Sequence, residues 1–411
     1  MNVNLSPCFL SGKVEAPASK SFAHRILIGA YLSGEKIKIN GIGNSEDVLV
    51  TLSALKTFGA KVIKGGNYVI IERGCLPTEK VEIDCKESGS SLRFLLPVAS
   101  ALGIKATFTG CGRLLQRPIT PLTDCLNKGG AEINGLTVNG RLQSGIYKVD
   151  GGISSQYITG LIFALSVIGG EIAIKGELVS KPYVDITLSV LKDMGVKIQK
   201  TQNGYKIQAG YNPTQKEINV EGDWSGASFL LSAGAINGEV SVSGLNLNST
   251  QGDRNIVEIL KNFGAIVIED NNKITVKKAP LKAIELDCQN IPDLVKIIAV
   301  VGAYANGKTI IKNVSRLKIK ESDRIQAVIN TLKSAKIKAE YVGEDLIIYG
   351  GTPVGATFDG GKDHRTVMSS TILALGAEGC SEILGAEYHK KSYPSFFEDV
   401  KKLGGILRVD I

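Results

Sequence analysis

Tryptophan is nearly absent from this chain, which carries one in 411 residues. No uninterrupted apolar run approaches the length of about 20 residues that a membrane-spanning helix needs. The opening stretch, MNVNLSPCFLSGKVEA, lacks the basic start and apolar core of a secretory leader. The seven cysteines, at 8, 75, 85, 111, 125, 288 and 380, include no C-x-x-C pair. Odd in number and scattered, they argue against a disulfide framework and a zinc site, and fit a reducing cytoplasm. A polybasic tail is also missing. The formal charge is +8, but Lys and Arg are interleaved with Asp and Glu, and without a basic stripe carrying aromatics no nucleic-acid partner is expected. A small anionic substrate in a locally positive cleft accounts for the same charge. What remains, 43% apolar and 21% charged residues, is the composition of an ordinary globular protein. The length calls for two domains.

The chain repeats itself. One recurring phrase is a helical pattern that ends in glycine and restarts as a strand: LSALKTFGAKVIKGGNYVIIERG, LTDCLNKGGAEINGLTVNG, LSVLKDMGVKIQKTQNGYKIQAG and VEILKNFGAIVIEDNNKITVKK. A fifth copy, VINTLKSAKIKAEYVGEDLIIYGG, has alanine where the capping glycine stands in the others, and the chain closes on FFEDVKKLGGILRVDI. The apolar spacing suits an amphipathic helix and the glycine a left-handed cap. The second phrase is a short strand, a polar loop and an apolar helix, beginning GKVEAPASKS, VEIDCKESGS, YKVDGGISSQ, INVEGDWSGA, IELDCQNIPD and ATFDGGKDHR. Aligned on Val14, Ile83, Val149, Val220, Leu286 and Phe358, the period is roughly 66–72 residues. Each unit therefore reads β-α-β-α-β-β. Six such units predict a closed α/β arrangement around shared cores rather than a solenoid.

Every loop between that strand and helix carries polar groups: Lys20-Ser21, then Glu87-Ser88-Gly89-Ser90 with Arg93, then Ser154-Ser155-Gln156, then Asp223, Asp293 and Asp363-His364-Arg365. A helix N-terminus has unpaired N–H groups and a positive dipole end, so serines there either cap the helix or help to hold an anion. One such loop is ordinary capping. Several in equivalent positions favour a ligand with more than one negative group, read by fixed cations. Two further stretches hold more charge than a helix start requires. In NVSRLKIKESDRIQAV, Arg316, Lys318, Lys320, Glu321, Asp323 and Arg324 crowd together, with Ser322 placed as a capping box would place it. In EYHKKSYPSFFEDV, His389, Lys390 and Lys391 precede a helix, where lysines oppose the dipole.

Taken together, KSFAHR, GGISSQYITGL, LVSKPYVDITL, IKESDRI, DHR and KSYP stand in an order and spacing that resembles the 5-enolpyruvylshikimate-3-phosphate synthase family along essentially the whole chain. The resemblance implies the two-domain enolpyruvyl-transferase fold, with three β-α-β-α-β-β units per domain and a cleft between the domains. On this chain it implies one domain from 1–19 plus 223–411 and an inserted one from 20–222. The crossings fall near Ala18–Lys20 and Glu221–Asp223. It also implies transfer of the enolpyruvyl group of phosphoenolpyruvate to the 5-hydroxyl of shikimate 3-phosphate, through a tetrahedral intermediate that eliminates phosphate. No metal or organic cofactor is expected, no nucleic acid and no membrane, and the enzyme is expected to be a cytoplasmic monomer.

The same resemblance implies roles residue by residue. Lys20 would touch both substrates. Ser21, Arg25, Ser154, Ser155, Gln156, Ser180, Tyr183 and Lys320 would hold shikimate 3-phosphate. Asp293 would take the 5-hydroxyl proton, and Glu321 would act in protonating the methylene carbon, with Lys20 as its rival. Arg117, Arg324, Arg365 and Lys391 would clamp phosphoenolpyruvate, with Gln156 beside them. Gly89 would lie against that substrate, its smallness leaving room for the inhibitor glyphosate. The chain departs from the family at Glu87 and Arg316, where Asn is common, and in Phe94-Leu95-Leu96 before Pro97. Cys111 suggests a sister activity on UDP-N-acetylglucosamine, but it lies one residue too far upstream and SSQ and VSKPY favour shikimate phosphate. Intact Lys20, Asp293, Glu321 and Arg365 argue against a dead paralogue. His24 is expected to pack, His364 to support Arg365, His389 to be a surface neighbour of Lys391, and Trp224 to pack in the crossover loop.

Overall fold

From Val81 onward the sequence alternates between a period of two and a helical period. The computed structural model, which describes residues 1–410, turns this stretch into strand Val81–Asp84, helix Gly89–Leu102, strand Ala106–Thr109, helix Thr120–Asn127 and strands Ile133–Asn134 and Thr137–Val138. The first two strands run parallel, from Val81 opposite Ala106 to Asp84 opposite Thr109. The last two form a hairpin whose second strand lies antiparallel to Ala106–Thr109. The spatial order is therefore first, second, fourth, third. All six sheets have four strands, four of them in that chain order and the other two with a strand from elsewhere in the chain in one place, so the β-α-β-α-β-β unit read from the repeats is the building block of the fold.

Three of the six sheets are assembled from distant parts of the chain. Strand Leu10–Glu15 precedes helix Lys20–Ser33 but pairs with Gly238–Ser243, in parallel register from Leu10 opposite Gly238 to Glu15 opposite Ser243. Strand Glu217–Asn219 precedes helix Trp224–Asn237 but pairs with Ile37–Asn40. The two units thus exchange their leading strands. The first strand, Asn2–Ser6, completes the last sheet by sitting between Ser381–Leu384 and Ile406–Asp410.

Contacts divide the chain into Met1–Ser19 with Glu221–Ile411, and Lys20–Val220. In the first of these, Ala18 bridges Gly222, and Asp223 N–H donates to Pro17 O at 2.8 Å. Gln251 Nε2 donates to Glu221 Oε1 at 2.6 Å and to Gly222 O at 2.8 Å. Those bonds tie Glu221 and Gly222 to the flanking unit.

Within a repeat the two helices differ, and burial explains why. The leading helix is apolar all round and fills the interior: in Gly89–Leu102, Leu92, Phe94, Leu95, Leu96, Val98 and Ala99 are all buried. The second helix has one apolar face, as in Ile256–Phe263, where Ile256, Val257, Ile259, Leu260 and Phe263 point inward. Leading helices pack closely. A Cβ on Gly160 would collide with the carbonyl of Arg93 on the neighbouring leading helix, so glycine is required there. The helix-ending glycines Gly59, Gly130, Gly195, Gly264 and Gly404 all have φ between 72° and 101°, the left-handed cap the repeats predicted. In the fifth copy Ala335 closes the helix with φ −81°, and Lys336 takes the left-handed position at φ +60°. Among the described residues no helix is long and apolar enough to cross a membrane.

Candidate active site

In the unit Lys20–Val220, Lys20, Ser21, Gly89, Ser154, Ser155 and Gln156 sit at the starts of leading helices, Ser180 and Tyr183 at the start of the helix Lys181–Asp193, and Arg117 in a loop. Lys20 is the first residue of its helix, and its Nζ lies 2.7 Å from Asp47 Oδ2. Arg25, one turn later, is buried. Its Nε donates to Thr187 Oγ1 at 2.8 Å, Nη1 to Ser21 O at 2.7 Å and Nη2 to Tyr183 O at 2.9 Å. The guanidinium stacks 5.0 Å over the Phe94 ring. Three of its five N–H bonds are therefore spent inside the unit, bringing Ser21 and Tyr183 to one point. Ser180 caps the helix Lys181–Asp193 in a left-handed conformation, φ +53°, without using its side chain as a cap.

Gly89 opens the helix after Ser88, whose hydroxyl caps it by accepting from Ser91 N–H. Arg93 Nη2 donates to Pro118 O at 2.8 Å, and Arg117 reaches the space beside Gly89. Ser154 caps the helix Ser155–Ile168 by accepting from Gln156 N–H, while Gln156 Nε2 donates to Ser90 Oγ at 3.1 Å. Here Gly89, Ser90, Arg117 and Gln156 form one group around two helix N-termini, which favour an anion through their free N–H groups. Ser155 lies buried in the first turn.

In the other unit, ion pairs dominate. Arg324 heads the helix Arg324–Ser334, and its side chain is only 3% exposed. It reaches three carboxylates: Nη1 to Asp293 Oδ1 at 2.9 Å, Nη2 to Glu321 Oε2 at 2.8 Å and Nε to Asp363 Oδ2 at 3.0 Å. Arg365 Nη2 takes the other oxygen of Asp293 at 2.8 Å, and its Nη1 donates to Asp293 O at 3.1 Å. Asp363 caps the helix His364–Gly376 through Arg365 N–H at 2.9 Å. Burial favours the neutral form of Asp293, but Arg365, Arg324 and Lys320 outweigh it and hold this carboxyl below the usual carboxylate range. Asp293 is an ionised group pinned between guanidiniums. Lys391 is buried at the end of the 3-10 helix Ala386–Lys391.

Several local expectations change. Asp323, not Ser322, caps the helix by accepting from Gln326 N–H, and Ser322 Oγ donates instead to Asp363 Oδ2 at 2.9 Å. His389 is not a surface residue: it is 4% exposed, with Nδ1 2.7 Å from Ala386 O and Nε2 3.0 Å from Pro394 O. Its neighbours Lys390 and Lys391 lie in the last turn of a 3-10 helix, so they complement a dipole rather than oppose one. Trp224 is the first residue of a helix, fully buried, and donates from Nε1 to Asn246 O at 3.1 Å. His24 packs as expected, with Nδ1 2.7 Å from Thr51 Oγ1. Burial pushes its pKa down to about 3, which removes it from proton transfer near neutrality. Arg316 Nη2 is engaged with Gln289 O at 2.7 Å.

Sequence reasoning missed Asp47, Asp253 and Lys296. Asp47 looks like an ordinary acid in a helix's first turn. Asp253 stands in QGDRN outside the leading loops, yet it is buried, and its Oδ2 accepts from Ser225 Oγ. Lys296 reads as one polar residue in an apolar helix but pairs with Asp363 at 3.1 Å.

Residues 6–400 match the family model for EPSP synthase (3-phosphoshikimate 1-carboxyvinyltransferase). A 3-phosphoshikimate 1-carboxyvinyltransferase from Clostridium kluyveri is 41% identical, covering 98% of this chain and 97% of its own. The one from Pyrococcus abyssi is 39% identical over 95% of each. Among solved structures, an EPSP synthase from Acinetobacter baumannii superposes with a TM-score of 0.84 at 24% identity, covering all of both chains. The enolpyruvyl transferase NikO from Streptomyces tendae does so with 0.77 at 17%, over 99% of this chain and 98% of that one. At those identities the two structures speak for the fold alone.

Proposed function

The chain belongs to the EPSP synthase family, and from that premise we propose how its residues divide the work. The protein is a 3-phosphoshikimate 1-carboxyvinyltransferase: it transfers the enolpyruvyl group of phosphoenolpyruvate to the 5-hydroxyl of shikimate 3-phosphate and releases phosphate. The reaction needs a base for the hydroxyl, an acid for the methylene carbon and cations for two anionic substrates. Shikimate 3-phosphate falls to Ser21, Arg25, Ser154, Ser155, Gln156, Ser180, Tyr183 and Lys320. Phosphoenolpyruvate falls to Gly89, Arg117, Gln156, Arg324, Arg365 and Lys391, and Lys20 serves both. On this reading the enzyme is a cytoplasmic monomer without a cofactor.

The observation that carries the assignment of roles is Asp293 held between Arg324 and Arg365 at 2.9 and 2.8 Å. In that state Asp293 is ionised but a weak base. A phosphate and a carboxylate arriving with phosphoenolpyruvate compete for both guanidiniums. As the arginines turn to the ligand, Asp293 loses the charges that hold its pKa down and becomes able to accept the 5-hydroxyl proton. Glu321, also paired with Arg324, is released by the same exchange, takes up a proton from solvent and delivers it to the methylene carbon. The hydroxyl oxygen bonds to C2; phosphate then leaves the tetrahedral intermediate as a proton is taken back from its new methyl group, which restores the double bond.

The test is phosphate release from phosphoenolpyruvate with shikimate 3-phosphate in one tube and UDP-N-acetylglucosamine in another. Release only in the first is expected; release only in the second, or in neither, overturns the reading. Asp293→Asn is expected to lower kcat by about 100-fold or more while shikimate 3-phosphate binding, followed by calorimetry, stays within about threefold. Near-normal turnover would remove Asp293 as the base.

A further inference from the structure

Lys296 lies one turn beyond Asp293, in the helix Val295–Ala303, and is 2% exposed. A lysine so deeply buried must be paired. Its Nζ is 3.1 Å from Asp363 Oδ2 and donates to Thr366 Oγ1. The same Asp363 oxygen accepts from Arg324 Nε at 3.0 Å and from Ser322 Oγ at 2.9 Å. Two cations therefore share one carboxylate oxygen, and one of them is a guanidinium assigned above to the substrate. Beside Lys296 lies a recess of about 10 Å³, lined also by Val328, Thr331, Thr366 and Ser369 and about one water in size.

We propose that Lys296 is a positioning residue for phosphoenolpyruvate: it occupies Asp363, loosens that carboxylate's hold on Arg324, and so lets the guanidinium turn to the substrate. The inference rests on Arg324 belonging to the phosphoenolpyruvate clamp. A carboxylate shared by two cations holds each less tightly than one cation alone, because each cation repels the other. If Lys296 loses its charge, Asp363 acts on Arg324 undivided and an anionic substrate has more to displace. Geometry and titration agree here. Burial lowers the Lys296 pKa to about 8, opposed by Asp363 and reinforced by Arg324, and Glu321 is the third charged group facing it. His364 stands beyond Asp363, with Nδ1 3.9 Å from Oδ1.

The experiment is the pH dependence of the Michaelis constant for phosphoenolpyruvate, at saturating shikimate 3-phosphate, from about pH 6.5 to about pH 9.5. The wild-type value is expected to rise about tenfold with a midpoint near pH 8. Meanwhile kcat changes less than about twofold and the constant for shikimate 3-phosphate stays flat. Lys296→Met is expected to show the raised constant at every pH, and Lys296→Arg to keep the low constant across the range. If the methionine variant does not fold, the wild-type and arginine profiles decide alone. A wild-type profile without the inflection overturns the inference, as does a methionine variant whose profile superposes on it. So does a variant in which kcat and both constants move together, the mark of a merely structural lysine. An inactive wild type would instead sink the functional reading on which the inference stands.

Discussion

Gly89 shows how much a single missing methyl can decide. An added Cβ would stand 2.6 Å from Arg117 Nη1 and 2.9 Å from Arg93 Nη1. Both are ends of flexible side chains, so the backbone survives while the Arg117 guanidinium is displaced. Gly89→Ala is expected to leave folding stability within about 1 kcal/mol. It should raise the Michaelis constant for phosphoenolpyruvate about tenfold, and the inhibition constant for glyphosate by more. Unchanged values in steady-state assays would take Arg117 out of the clamp. Asp253 makes a second prediction at this scale. Its carboxyl is buried, and its Oδ1 has no hydrogen-bond partner among the described residues. Burial first, then the nearby charge of Asp293, raise its pKa to about 7, against Arg365. A raised carboxyl pKa means that the folded state binds the proton more tightly than the unfolded one. Stability therefore falls as pH climbs from about 4 through about 7, and the penalty is complete above that. Asp253→Asn cannot ionise, so it is expected to be more stable than wild type by about 1–2 kcal/mol near pH 8.5 and indistinguishable near pH 4. Equal urea midpoints at both pH values would contradict this. The groups proposed to react, Lys20, Asp293 and Glu321, and the proposed clamp cation Arg365 drew attention in the sequence because they stand in or near polar loops at helix starts. Asp47, Asp253 and Lys296 were not, since nothing local marks an acid or a lysine as the partner of a distant charge.

At the scale of elements, the six helix endings are a controlled comparison. Five use glycine in the left-handed region, and the fifth copy puts Lys336 there at φ +60°. A side chain in that region costs about 1–2 kcal/mol, while glycine adds about 0.5–1 kcal/mol of unfolded-state entropy. Lys336→Gly is therefore expected to stabilise the protein by about 0.5–1 kcal/mol, read from urea unfolding. A loss of stability would mean that the lysine side chain makes a compensating contact. The helix and strand phrases were legible in this copy too, but not how its helix ends, because alanine at the usual glycine position hid a cap that moved one residue along. The same limit applied at Ser322 and Asp323. Both are good capping residues, and which one caps depends on whether Ser322 has a better partner, as it does in Asp363.

At the scale of the whole molecule, the exchange of leading strands makes the two units unequal. Lys20–Val220 is continuous, and its sheets, including Glu217–Asn219 against Ile37–Asn40, are complete within it. The segment 221–411 lacks Asn2–Ser6, an inner strand whose Val3 and Leu5 are buried, and Leu10–Glu15. Residues 20–220 expressed alone are expected to unfold cooperatively in urea, and residues 221–411 alone are not. A cooperative transition for the second fragment would show that the borrowed strands are dispensable. The α/β class, the six repeats, the polar loops at helix starts and the family were all readable in the order of residues. All of these follow from local periodicity, capping chemistry and ordered motifs. Which strands pair across the exchange, and which cation each buried carboxylate holds, emerged from the folded arrangement. Strand pairing and ion pairing join residues far apart in the chain, and their energies depend on distance and burial, which no local pattern encodes.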